Sequence, residues 1–204
     1  MAIFTRSKSD STPAAAPATS PTSAALSHLT GDYTIDPAHS RIGFAVRHAM
    51  VTNVRGEFTE YGGKLHLDGS EPAKSTAELV IKVASIDTKQ AQRDEHLRTG
   101  DFFTAETYPE ITFRSASAEE GGGDTYRLHG DLTIKGVTRP VTLDLEFTGS
   151  ATDPYGANRV GFEGGTTLDR TDWGLTYNAA LETGGVLIGE KVKLTLDISA
   201  VKAA

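Results

Sequence analysis

Tyr126-Arg127-Leu128-His129-Gly130-Asp131-Leu132-Thr133-Ile134 is the stretch whose reading decides the fold class. Tyr126, Leu128, Gly130, Leu132 and Ile134 occupy one set of alternate positions, and Arg127, His129, Asp131 and Thr133 the other. An extended chain, whose side chains change face at every residue, is the conformation that buries the first set and leaves the second in water. Val141, Leu143, Leu145 and Phe147 repeat this against Thr142, Asp144 and Glu146, and Val192, Leu194, Leu196 and Ile198 repeat it against Lys193, Thr195 and Asp197. Weaker copies begin at Arg41, Val54, Gly63, Thr76, Glu110 and Asn158, which brings the expectation to about 8–10 strands. Turn signals separate them: Tyr61-Gly62-Gly63, Asp68-Gly69-Ser70-Glu71-Pro72, Gly121-Gly122-Gly123-Asp124, Lys135-Gly136 and Asp153-Pro154-Tyr155-Gly156. Such short links make neighbouring strands antiparallel, because a parallel crossover needs a dozen or more residues.

One stretch departs from the two-residue period. Thr88 to Arg98 is rich in Gln, Ala, Arg, Glu and Leu and is followed by Gly100, so it reads as one short helix with Asp87 or Thr88 as its cap and Gly100 past its end. Asp101 reads as the cap of a further turn carrying Phe102 and Phe103. Many antiparallel strands with one apolar face each leave two all-β architectures, a closed barrel or a two-sheet sandwich. Periodicity does not separate them. A barrel can be hollow and hold a ligand, whereas a sandwich fills itself.

At the other extreme, Ser, Thr, Pro and Ala fill 21 of the first 30 positions. Such a segment has too little apolar surface to offset its chain entropy, so residues 1–31 are expected to be a disordered leader and 32–204 the β-domain. Ser, Thr and Pro interrupt every apolar run of the leader that could act as a secretory signal, which makes the cytoplasm the expected compartment. Across the 204 residues, 20 Lys and Arg against 27 Asp and Glu give a formal net charge of -7, which offers no excess charge for binding nucleic acid. With no cysteine, thiolate nucleophiles, disulfides and Cys-ligated metals are excluded. No apolar run is long enough for a membrane-spanning helix.

The segment Asp36-Pro-Ala-His39-Ser40-Arg41-Ile42-Gly-Phe44-Ala-Val46-Arg-His48 places His48 in phase with Ile42, Phe44 and Val46. A strand aims its imidazole to the apolar side, either as a core histidine or as one of the few polar contacts of a greasy pocket. His39 is out of phase and is expected at the strand mouth. This opening resembles that of the YceI-like, polyisoprenoid-binding family. The likeness continues through Arg93-Asp94-x-His96-Leu97, Asp101-Phe102-Phe103, Tyr108-Pro109-x-Ile111-x-Phe113, Gly130-x-Leu132-Thr133-Ile134-x-Gly136-Val137-Thr138 and Arg170-x-Asp172-Trp173-Gly174. It spans roughly residues 33 to 200 in a series of ordered blocks. Where many members of the family carry an acid after the paired phenylalanines, this chain has Thr104, so no polar role passes to that position.

The resemblance implies a lipocalin-like antiparallel barrel, commonly a homodimer, that encloses a long apolar cavity and holds an isoprenoid or other long-chain amphiphilic lipid. It implies a carrier or store with no catalytic residue, cofactor or metal, and at most transient membrane contact. Strand phase then nominates Ile42, Phe44, Val46, His48, Phe113, Leu132, Ile134 and Trp173 as lining residues, together with Phe102 and Phe103, of which one would plug the barrel and the other face the lipid. Arg41, His39, Arg93 and His96 are the candidates for a polar head group. For Arg93, Asp94 and His96 the blander alternative is a polar latch between helix and barrel.

Other chemistries leave weaker traces. His39, His48, Asp94 and His96 could serve a metallohydrolase, but they come from distant segments and no His-Glu-x-x-His occurs. There is no Gly-x-Ser-x-Gly nucleophile elbow, and Gly121-Gly122-Gly123 is followed by Asp124, unlike a phosphate-cradling loop. Asp36, Asp94, Glu163 and Asp172 could supply a glycosidase pair only if two of them face each other. A solid-core β module acting in assembly or stress response without a ligand is the remaining alternative.

Overall fold

The computed structural model describes residues 26–203 except 183. Eleven strands run β1 Gly31–Ile35, β2 Arg41–His48, β3 Thr52–Phe58, β4 Tyr61–Leu67, β5 Thr76–Lys82, β6 Ile86–Asp87, β7 Glu110–Gly122, β8 Thr125–Ile134, β9 Val137–Thr152, β10 Asn158–Asp169 and β11 Ile188–Lys202. The order β1-β4-β5-β7-β8-β9-β10-β11 closes on itself through a β1–β11 pairing, with β2, β3 and β6 following on from β11. Every pairing is antiparallel. Because β1 and β2 both lie against β11, and β3 and β4 lie against β2 and β1, each such pair is one course of the wall interrupted by a break. β5 and β6 form a third broken course. The molecule is thus an eight-strand closed antiparallel barrel, and the closed alternative of the two architectures is the one adopted.

Closure gives the barrel two ends. The helix end carries the β2–β3 hairpin, the helix Ala91–Arg98, the turns that follow it and the long connection before β11. The N-terminal end carries the loops around 68–75, 121–124 and 153–157. Residues 1–25 of the expected leader lie outside the described residues. Its last part is corrected, since Ser27–Leu29 form a 3-10 turn with Leu29 buried, and Gly31 already opens β1. Leu26 and Leu29 pack with Tyr33, Val160 and Ala200, and the Tyr33 hydroxyl donates to the Leu29 carbonyl at 2.7 Å. Two leucines spaced three apart supply the apolar surface that the composition of the segment as a whole conceals.

The break between β1 and β2 is built by the first block of the family-like motif. Pro37 opens a 3-10 turn, and the Asp36 carboxylate accepts from Ala38 N at 3.0 Å, His39 Nδ1 at 2.8 Å and Arg159 Nη1 at 2.6 Å. These donors hold the Asp36 carboxyl well below its usual range, at about 2, with Arg159 the largest cause and His39 next. The Ser40 hydroxyl donates to Ser199 O at 3.1 Å and accepts from Ser199 N at 2.9 Å, which sews the break to β11.

The helix is shorter than its composition suggests. Gln90 caps it, its side chain accepting from Arg93 N, and Thr99 ends it. Gly100 does not take the left-handed backbone expected of it; Lys89 and Thr104 do, at φ 63° and 52°. Thr88 serves a different purpose, described below, and Asp101 caps no helix.

Candidate functional site

The inward side chains do not fill the barrel. A cavity of about 350 Å³ lies under the helix end and a second of about 140 Å³ under the N-terminal end. Leu79, Phe113, Leu143 and Leu196 belong to the walls of both and form a waist between them. Their strands explain the opening. Gly130, on the inward phase of β8, lies against Phe113, and a Cβ there would meet the ring at 2.6 Å, so the missing side chain lets the ring lie across the wall. Gly56 does the same for Phe44, whose ring a Cβ would meet at 2.5 Å. The rings of Phe113 and Phe44 thus take the space that a wall side chain would fill.

Of the expected lining residues, Ile42, Phe44, Val46, His48, Phe102, Phe103, Phe113, Leu132, Ile134 and Trp173 all border the helix-end chamber. Phe102 and Phe103 do not divide between plug and wall. Both reach the chamber, Phe102 stacking with Tyr177 at 5.1 Å and Phe103 meeting Phe58 edge-on at 6.3 Å. Trp173 is fixed by its indole N–H, which donates to Leu132 O at 3.1 Å.

The head-group candidates separate. Arg93 and His96 border the chamber, whereas His39 and Arg41 do not. His39 is an exposed partner of Asp36, and Arg41 Nε donates to Glu57 at 2.7 Å on the outer face. The two-residue period explains the correction for Arg41, since it is out of phase with Ile42. Arg93 and Asp94 are a latch as well: Arg93 donates to Thr88 Oγ1 at 2.7 Å and Thr88 O at 2.8 Å, and the buried Asp94 carboxylate accepts from Thr88 N at 2.9 Å and from the Thr88 hydroxyl. His96 Nε2 lies 2.7 Å from Asp101 Oδ2, and its ring meets Phe102 and Tyr177 edge-on.

Arg170 is a further polar residue of the chamber wall, outside the candidates named from sequence. Only 6% exposed, it donates to the carbonyls of Gly189 at 2.9 Å, Ile188 at 3.3 Å and Leu175, and among the described residues no carboxylate lies within ion-pair distance of it. Burial pushes the guanidinium below its ordinary pKa, partly countered by Glu190 and Asp169. A buried cation held by carbonyl dipoles in the wall of an apolar chamber adds positive potential at that end. The signal was present in the sequence, because Arg170 is in phase with the inward Leu168. Leu175 and Tyr177, also at this end, come from irregular chain with no period to read.

Among the described residues, no three His, Asp or Glu side chains gather as a metal site requires. His39, Asp94 and His96 are each engaged by a different partner. No helix of the described residues is long and apolar enough to cross a membrane.

Residues 33–200 match the profile of the YceI-like domain. A UPF0312 protein of Staphylococcus aureus strain N315 is 38% identical over 163 residues, covering 79% of this chain and 92% of that one. Among solved structures, Burkholderia cenocepacia BcnA superposes with a TM-score of 0.72 at 24% identity, over 81% of this chain and 98% of the other. A polyisoprenoid binding domain from Saccharophagus degradans, implicated in plant cell wall breakdown, superposes at 0.64 with 16% identity, over 84% of this chain and 98% of that domain.

Proposed function

The chain belongs to the YceI-like family, and from that premise we propose that it is a non-catalytic protein that binds a long-chain isoprenoid or similar amphiphilic lipid along the barrel axis, for carriage or storage. The observation that carries this reading is the pair of apolar chambers meeting at the Phe113–Leu143 waist. An unfilled cavity costs roughly 24 cal/mol per Å³, so an empty 350 Å³ chamber would cost on the order of 8 kcal/mol, with opening to solvent lowering the figure. That compares with the whole stability of a typical domain, about 5–15 kcal/mol. A chain keeps such a hollow where something else occupies it, and apolar walls suit a hydrocarbon tail. The polyisoprenoid binding of the Saccharophagus domain, whose fold this chain shares, supports the same ligand class.

Leaving a bilayer for an apolar cavity brings a lipid tail almost no hydrophobic gain, so retention rests on fit and on the head group. Arg170, Arg93, His48 and His96 border the helix-end chamber and can donate to an anionic head such as a phosphate. The tail would then point past the waist toward Leu29. A homodimeric state and a cytoplasmic setting belong to the same proposal.

Extraction of the purified full chain with organic solvent, followed by mass spectrometry, tests the reading. One amphiphile per chain, several hundred daltons in mass, is expected. Protein that arrives bare and takes up no lipid from detergent micelles would favour the ligand-free module, and stoichiometric zinc would revive the hydrolase.

A further inference from the structure

The hairpin joining β2 to β3 contradicts its local rules. The Val51 N–H donates to His48 O at 3.1 Å across a turn in which Ala49 and Met50 both take left-handed backbone, at φ 48° and 65°. Asn-Gly is the pair that such a turn favours, since a side chain with a Cβ is strained there. Here the turn presents Met50 at 60% exposure and Val51 at 75%. Backbone strain and apolar exposure coincide at one tip, which points to a function of the side chains themselves.

Two further observations say what the tip meets. First, it stands beside the opening of the helix-end chamber: Ala49 N donates to Leu187 O at 2.7 Å, and the neighbouring Tyr177 and Val186 are 38% and 39% exposed. Second, cations stand beneath it on the outer face. Lys193, Ala45 and Arg55 lie in register across β11, β2 and β3, with Arg47 two residues nearer the tip. All three charged side chains are exposed, Arg47 also bordering the chamber and reaching the Val51 carbonyl at 3.5 Å, and none has a carboxylate within ion-pair distance among the described residues. Nearby cations do pair, as Arg41 does with Glu57 and Lys191 with Asp169. In a chain of net charge -7, a group of unpaired cations behind an apolar tip complements an anionic membrane surface.

We propose that the helix end docks on anionic lipid bilayers, Met50 and Val51 entering the interfacial layer while Arg47, Arg55 and Lys193 face the lipid phosphates, so that lipid passes between bilayer and chamber without crossing water. The passage of lipid rests on the binding function proposed above; the docking does not.

Co-sedimentation of the full chain with phosphatidylcholine vesicles, with and without about one third phosphatidylglycerol, tests it. Binding to the anionic vesicles is expected, falling with added salt. Charge reversal of Arg47, Arg55 and Lys193 together should weaken it by about tenfold or more. Met50→Gly should also weaken it while holding or raising Tm, because glycine accepts the left-handed backbone. A wild-type chain that binds both vesicle types equally, or neither, overturns the proposal, and so does a dimer that Met50→Asp dissolves in a chain that ignores vesicles. Loading from detergent micelles separates the two ideas. Loading without vesicle binding removes docking alone, and vesicle binding without loading removes the cavity's function alone.

Discussion

The two ends of the barrel differ in the backbone strain that their turns carry. At the N-terminal end the loops are tied by carboxylates: Asp68 accepts from Ser70 N at 3.0 Å and Glu71 N at 2.8 Å, and Asp153 accepts from Tyr155 N, Ala157 N and Arg159 Nε at 2.9–3.0 Å. Glycines take the left-handed positions there, at Gly122, Gly123 and Gly156. At the helix end lie all five non-glycine residues with positive φ among the described residues, Ala49, Met50, Lys89, Thr104 and Lys135. The larger chamber, the buried Arg170 and the exposed apolar tip lie there as well. Strain and desolvation have collected where a ligand would enter, while the far end is built as a stopper of leucines and hydrogen-bonded loops.

Substitutions at the two ends should therefore differ in kind. Arg170→Met takes its donors from the buried Leu175 carbonyl and the part-buried Gly189 carbonyl, while Ile188 O keeps Asn178 Nδ2 at 2.7 Å, and at 1–3 kcal/mol for each unsatisfied group a loss of about 2–4 kcal/mol is expected. Urea denaturation should show a lower midpoint at unchanged slope, and head-group retention should fall with it. Leu29→Ala, at the stopper, is expected to cost about 2 kcal/mol by enlarging a cavity, while loading through the opposite end persists. Loss of loading in Leu29→Ala with retention in Arg170→Met would reverse the assignment of the ends.

Acid should loosen the break between β1 and β2 that Asp36 ties to Arg159. The Asp36 carboxyl is depressed to about 2 from an ordinary 3.8, so its contribution is present above the unfolded value and disappears as pH falls from about 4 through about 2. The half-exposed setting of Arg159 limits the effect to about 1 kcal/mol. Asp36→Asn should flatten that part of the stability profile; an unchanged slope would mean that the Arg159 pairing carries nothing. The smallest expected change is a gain. Thr104 is a β-branched residue at φ 52°, and Thr104→Asn should add roughly 0.5–1 kcal/mol, read as a higher Tm.

Much of this was legible in the chain. Strict alternation in 126–134, 141–147 and 192–198 fixed which side chains turn inward, and those residues do meet around one axis. Hollowness was not legible, because a wall glycine such as Gly130 reads as one weak position in a strand, and its consequence, room for the Phe113 ring, depends on a neighbour seventeen residues away. The chemistry of His39 and Arg41 suits a head group but their phase points outward, whereas Arg170 has both the chemistry and the inward phase. Leu26 and Leu29 were hidden by averaging, since composition over thirty residues says nothing of two leucines placed to close a barrel.

The most direct test of the account is a crystal structure of the chain purified from its native host without added lipid. One continuous tube of density should run from beside Arg170, through the ring of Leu79, Phe113, Leu143 and Leu196, to Leu29. Side chains closed over that ring, with both chambers collapsed and dry, would contradict it.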